Sequence, residues 1–123
     1  MGNLIILLLL VFTTSCTSQN SANVQSIDIE TVNDEVIGKD VQWIDVRTPK
    51  EFDAGHIDDA INIDFLDNAT FNEKVKDLDK EKPVYLYCQV GGRSKQAAAR
   101  LKELGFKTVF DYSGGYGEWS GQP

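Results

Sequence analysis

The sequence has little of what most catalytic sites are built from. It holds two cysteines and one histidine. The position three after Cys88 is Gly91, so the Cys-x-x-Cys pair of a thioredoxin-type oxidoreductase is excluded. The single imidazole, His56, gives a Cys–His protease one candidate base, and it follows a helix-stopping glycine, which favours a structural hydrogen-bonding role. Long apolar stretches are missing as well. The unbroken run from Leu4 to Phe12 is nine residues, whereas a membrane-spanning helix needs about 20. Positive charge is scarce: 12 basic residues stand against 19 acidic ones, a net −7, and the first charged side chain is Asp28. Such a surface disfavours nucleic acid and anionic lipid headgroups, and it specifies no ligand. No internal repeat is visible, and roughly 100 residues of mixed composition suit one domain with one core.

What is present begins with a leader. The run Leu4–Phe12 is followed by Thr13-Thr14-Ser15-Cys16. A short apolar core closed by small residues is the pattern of a secretory signal. With a cysteine immediately after, it resembles the lipobox of bacterial lipoproteins, departing from it in having no Lys or Arg before the run and Thr13 at an ordinarily aliphatic position. The resemblance implies export, lipid on Cys16, and anchoring to a bacterial membrane on the periplasmic or outer face. Residues Thr17 to Ser26 are polar or small apart from one valine and read as a flexible tether. The expected boundaries are a signal peptide over 1–15, a lipidated tether over 16–25 and a folded domain over 26–123.

Within the domain the punctuation alternates. Asp28 caps a short helix with Ile29, Val32 and Val36 on one face and Gly38 beyond it. Val41 to Val46 is a β-rich run. Thr48-Pro49-Lys50-Glu51 is a capping box with proline at the first helical position, and Gly55 ends that helix. Ala60 to Ile63 reads as a short strand. Thr70 to Glu73 repeats the capping-box pattern ahead of an apolar face of Phe71, Val75 and Leu78. Val84 to Tyr87 suits a central strand covered on both faces. Ala97, Leu101 and Leu104 form a helical stripe closed by Gly105, and Phe106 to Phe110 suits a last strand. Strands alternating with helices predict an α/β fold with a parallel sheet, whose sites lie beyond the carboxyl ends of the strands. Asp45 and Cys88 both fall at such ends.

Cys88 therefore draws the chemistry. If Cys16 carries lipid, Cys88 is the remaining thiol and cannot staple the domain. Gln89, Val90, Gly91, Gly92 and Arg93 separate it from a helix expected near Ser94. A Gly-rich turn entering a helix aims backbone N–H groups inward and forms an anion-binding nest. A thiolate at its base is stabilised without a histidine: the helix dipole contributes up to about 2 kcal/mol, and about 1.4 kcal/mol is one pKa unit. Free cysteines are often small core residues, but two glycines and a cation immediately downstream favour a reactive thiol.

The segment Cys88-Gln89-Val90-Gly91-Gly92-Arg93-Ser94 resembles the Cys-x-x-Gly-x-Arg-Ser active loop of rhodanese-like sulfurtransferases. Ile44 to Ile57 resembles that family's upstream box, Asp-Val-Arg…Glu-Phe…Gly-His-Ile, and Gly114-Gly115-Tyr116-Gly117-Glu118-Trp119 its closing Gly-Gly…Trp element. Asp58-Asp59 replaces the usual Pro-Gly. The resemblance implies a parallel sheet of five strands flanked by helices in three layers. It implies a ping-pong reaction in which Cys88 takes sulfane sulfur from thiosulfate or a persulfide, holds it as a persulfide, and passes it to a thiol, cyanide or a protein. Asp45 and Arg47 are then expected to brace the loop, Arg93 to attract an anionic donor with Lys95 in a weaker part, and Tyr116 and Trp119 to wall the pocket or simply to pack. No cofactor or metal is expected, and the domain is expected to be a monomer.

Three other functions compete. Tyrosine phosphatases and arsenate reductases hold a thiolate in a similar nest, but the phosphatase pattern needs five residues between Cys and Arg, and here there are four, from Gln89 to Gly92. The shorter loop suits a sulfur atom better than a phosphate tetrahedron. A dithiol oxidoreductase is excluded above. A membrane-tethered binding module is the third, and the retained Cys88 counts against it.

Overall fold

The computed structural model describes residues 24–123. Cys16, the leader and most of the tether lie outside the described residues. Five parallel strands, β1 (Val24–Ile27), β2 (Gln42–Asp45), β3 (Ile61–Asn62), β4 (Val84–Tyr87) and β5 (Val109–Tyr112), form one sheet in the order β1-β5-β4-β2-β3. The helices are α1 (Ile29–Glu35), α2 (Pro49–Ala54), α3 (Asn68–Lys74), α4 (Gly92–Glu103) and α5 (Gly115–Ser120). The expected three-layer α/β architecture is observed, with β4 central and buried along its whole length.

Side-chain alternation along the strands sorts the core into two halves. Ile44, Val84, Leu86, Cys88 and Val109 face one way and pack with Phe71 of α3, with Val75 just beyond that helix, and with Ala97, Ala98 and Leu101 of α4. Trp43, Tyr85, Tyr87 and Tyr112 face the other way and pack with Val32 and Val36 of α1, with Ile57 and Ala60, and with Phe52, Tyr116 and Trp119. Fully burying one such large side chain is worth about 1.5–3 kcal/mol. The thiol-bearing position therefore lies under α4, and the aromatic half lies on the opposite side of the sheet.

Local signals placed most helix starts. Asp28 accepts from the Thr31 amide at 2.9 Å, and Thr48 and Glu51 form the reciprocal capping box with Pro49 at the first turn. The start of α3 differs from expectation. Its cap is Asp67, which takes both the amide and the hydroxyl of Thr70, at 3.2 and 2.7 Å. A carboxylate three residues upstream takes both Thr70 donors, so Thr70 lies inside the helix instead of capping it. The last strand is Val109–Tyr112, three residues later than its expected start, because Phe106 is buried in the turn after α4 with its amide on the Leu101 carbonyl at 3.1 Å. The first strand takes in Val24 and Gln25, which composition assigned to the tether; pairing with Val109 and Phe110 outweighs their polar neighbourhood.

Candidate active site

β4 ends at Tyr87 and delivers Cys88 into the α4 side of the core, where it is 1% exposed. The chain then turns through Gln89, Val90 and Gly91 into α4, which starts at Gly92, two residues before the expected Ser94. Gly91 is the helix cap, in the left-handed region at φ +97°, and a Cβ there would lie 2.8 Å from the Ser113 carbonyl. Only glycine fits both demands. This geometry directs the Gly91 amide to donate to Cys88 Sγ at 3.0 Å. The thiol lies 3.4 Å from Ser94 Oγ and donates to it, while the Ser94 hydroxyl donates to the Gly91 carbonyl at 3.3 Å. When the thiol ionises, the hydroxyl can rotate and donate to sulfur instead.

Burial pushes the Cys88 pKa up, but the Ser94 hydroxyl and the amides of Ser94, Gly91 and Val90 outweigh it, and the net shift is downward. No imidazole takes part. His56 is exposed, its Nδ1 contacts the Phe52 carbonyl at 3.1 Å, and its ring stacks on Phe52 at 3.9 Å. Among the described residues, no group of three or more His, Cys, Asp and Glu could hold a metal ion.

Arg93, expected to attract an anionic donor, meets a carboxylate of its own chain. It is engaged bidentately by Glu51, Nη1–Oε1 at 2.6 Å and Nη2–Oε2 at 2.9 Å. Hydrogen bonding from Arg93 brings the Glu51 carboxyl down to about 2, against partial burial. The pair therefore stays ionised at neutral pH, and the loop's cation is neutralised by its own protein. The stability this contributes is present above the usual glutamate pKa of about 4.3 and is lost as the pH falls toward about 2. The sequence showed Glu51 only as a helix cap; nothing local revealed a partner 42 residues away.

Asp45 and Arg47 sit on the aromatic side of the sheet and do not touch the sulfur. Their buried pair is nonetheless connected to the loop. Arg47 Nε donates to Asp45 Oδ1 at 3.0 Å, Nη2 to Asp45 Oδ2 at 2.7 Å and to the Gly55 carbonyl at 2.6 Å, and Nη1 to Gln89 Oε1 at 3.2 Å. The Tyr116 ring lies against the guanidinium at 4.3 Å, so Tyr116 stacks on the brace, and Trp119 packs in the aromatic half of the core. Two backbone bonds from α5 complete the support: Tyr116 donates to the Cys88 carbonyl at 2.8 Å and Gly117 to the Gln89 carbonyl at 3.0 Å. Gly115, at φ +64°, permits this approach, since a Cβ would fall 2.5 Å from the Cys88 carbonyl. Residues 28–122 match the model of the rhodanese-like domain.

The chain belongs to the rhodanese-like family. It is 40% identical over 81 residues to the uncharacterized protein YqhL of Bacillus subtilis, a match covering 66% of this chain and 62% of that protein. It is 36% identical over 76 residues to the thiosulfate sulfurtransferase GlpE of Pseudomonas syringae, covering 62% of this chain and 69% of that one. A rhodanese-like protein from Staphylococcus aureus superposes with a TM-score of 0.68 at 27% identity, covering 77% of this chain and 90% of its own.

Two outcomes are expected. Replacing Arg47 by Met leaves the buried Asp45 carboxyl without its ion-pair partner, and lowers unfolding stability by about 3–5 kcal/mol, measured by urea denaturation. Replacing Ser94 by Ala removes a hydrogen bond to a charged sulfur, worth about 1.5–3 kcal/mol. Iodoacetamide alkylation of Cys88 at neutral pH then slows by about tenfold or more, and its pH profile moves to higher pH.

Proposed function

We propose that this chain is a sulfurtransferase that carries sulfane sulfur on Cys88. The observation that carries the reading is the sulfur cradle: a buried Cys88 Sγ facing the Gly91 amide and the Ser94 hydroxyl, with its pKa lowered. The thiolate attacks the outer sulfur of a donor R–S–S⁻ or of thiosulfate. The new S–S bond forms on Cys88 as the donor's S–S bond breaks, and the thiolate or sulfite leaves with the electron pair. The acceptor, a thiolate or cyanide, then attacks the terminal sulfur, and Cys88 leaves as thiolate back into the nest. The amides that stabilised the first thiolate stabilise it again, so no base and no cofactor is needed in either half-reaction.

The Glu51–Arg93 pair bears on the donor. A free guanidinium would favour a dianion such as thiosulfate, but Glu51 already occupies both arms of Arg93. Beside it Val90, 78% exposed, presents an apolar rim. Low-molecular-weight or protein persulfides, less charged than thiosulfate, fit this mouth better. The notion of a lipid on Cys16 and a place outside the cytoplasm rests on the leader sequence, and we propose it on that ground; among the described residues no helix is long and apolar enough to cross a membrane.

Mass spectrometry after incubation with a persulfide donor is expected to show one added sulfur on Cys88, absent in C88S. Turnover of p-nitrophenyl phosphate with no sulfur added would instead favour the phosphatase chemistry. The same mass measurement on protein from its native host reads diacyl or triacyl lipid at Cys16. Exchanging Glu51 for Gln keeps an acceptor for the Thr48 cap but frees the Arg93 charge. The kcat/KM for thiosulfate, a dianion, is then expected to rise several-fold and that for a monoanionic organic persulfide R–S–S⁻ to rise less; equal changes for both donors would show that the pair does not set donor charge.

A further inference from the structure

A second buried acid lies beside the sulfur cradle. Asp111 of β5 pairs in register with Leu86 of β4, so its side chain shares the α4 face with Cys88, two residues further on. It is 6% exposed, and Ser94, which meets it in a side-chain hydrogen bond, is 0% exposed. Its Oδ1 is buried with no hydrogen-bond partner. Among the described residues no cation lies within ion-pair distance of it. A buried carboxylate oxygen left without a donor is costly. Protonation relieves much of that cost, since Oδ1 is then a neutral carbonyl oxygen and the acid hydrogen goes to Ser94 Oγ.

Ser94 therefore stands between two acids. Its Oγ lies 3.4 Å from Cys88 Sγ and is also hydrogen-bonded with Asp111. The hydroxyl has one hydrogen, and a thiolate and a carboxylate cannot both receive it. Two anions flanking one buried hydroxyl also repel each other. The pair is thus built to share one proton and one negative charge. Burial pushes the Asp111 pKa up against the pull of Ser94 and Lys95, while the cradle brings that of Cys88 down, so the two approach each other. Other charges are few. On α4, Arg93 is held by Glu51, Lys95 acts on Asp111 only across space, and Lys102 and Glu103 line the groove beyond it. β1 brings no titratable side chain, and the tyrosines of β4 face the other way.

We propose that Asp111 is a positioning residue for sulfur transfer, one that takes the resting thiol's proton through Ser94 and then holds the Ser94 hydroxyl on the thiolate. This role rests on the reading of Cys88 as the sulfur carrier. The S–H bond of Cys88 breaks as its proton passes to Ser94 Oγ, and the hydrogen that Ser94 carried passes to the Asp111 carboxylate. The negative charge moves from carboxyl to sulfur, and no proton leaves the site. The hydrogen now on Ser94 came from the sulfur and points back at it, while the Asp111 acid donates to Ser94 Oγ from the other side. The transfer half-reactions still need no base, because the proton has moved before the donor arrives. An ionised Asp111 would do the opposite and draw the hydroxyl away from the sulfur.

The test uses no sulfur donor, so its outcome is independent of the persulfide measurement above. In the full-length protein with ¹³C-labelled aspartate, the Asp111 carboxyl signal is expected to keep its acid form at neutral pH. Cys88→Ser removes the anion across Ser94 and lowers the Asp111 midpoint by about one pH unit or more, a change of about tenfold in proton affinity. Iodoacetamide alkylation of Cys88 reads the other end. Asp111→Asn, whose amide donates to Ser94 Oγ as the acid does, keeps the neutral-pH rate close to its original value. Asp111→Leu offers no donor and slows it by about tenfold, but adds no further slowing to Ser94→Ala. If Asp111→Leu does not fold, the carboxyl titration decides alone. Three results would overturn the proposal: an Asp111 already ionised at neutral pH in the unaltered protein; a midpoint that Cys88→Ser leaves in place; or an Asp111→Leu effect as large in the Ser94→Ala background as outside it.

Discussion

The structure depends on a buried guanidinium. Arg47 is almost completely buried, and taking such a charge out of water costs several kcal/mol unless its donors are matched. Here they are matched to three different parts of the chain. Asp45 holds one edge of the fork at the end of β2, Gly55 receives a bond at the end of α2, and Gln89 receives one in the turn after β4. A lysine could not do this, since its single ammonium has no planar fork to span three directions. Burial works against the Arg47 charge, but Asp45 holds the guanidinium protonated. The upstream box and the active loop are thus two ends of one hydrogen-bonded unit, which is why Asp45 and Arg47 matter to the thiol without approaching it.

The active loop itself follows from two exclusions. A Cβ at position 91 would collide with the Ser113 carbonyl, and one at 115 with the Cys88 carbonyl. Both glycines let backbone approach backbone, and the result is a loop held from behind by α5. Because its amides are fixed before any substrate arrives, little reorganisation is needed when charge appears on sulfur. The Glu51–Arg93 pair adds a second constraint at the rim. The carboxylate of Glu51 neutralises the one cation of the loop.

Much of this was legible in the chain, and the parts that were not share a cause. The parallel α/β architecture, the Asp28 and Thr48 caps, the central β4 and the Cys88 loop are encoded by residues close together in sequence, where periodicity and capping chemistry act. The start of β5 was misplaced because Phe106 satisfies the same apolar signal from a turn. The cap of α3 was misplaced because Asp67 outcompetes Thr70 for the same role. The Glu51 contact to Arg93 was invisible, since a glutamate three residues after a threonine already had a sufficient local reason to be there. Asp111 was missed because one carboxylate in a β-rich run carries no local signature of burial.

Strand parity explains how one small sheet keeps these devices apart. Cys88 and Asp111 point toward α4, with Val84, Leu86 and Val109. Arg47 lies on the other side, against the rings of Tyr87 and Tyr116. A residue shifted by one position along β4 would exchange the thiol for Tyr87 or Gln89 and carry the sulfur to the side of the buried cation. There it would meet a guanidinium whose donors already serve Asp45, Gly55 and Gln89, and it would lose the helix start that lowers its pKa. The thiol works because the sheet places it opposite the charge that braces its loop, so that the brace can be rigid and fully satisfied while the sulfur's own donors remain free to follow the changing charge.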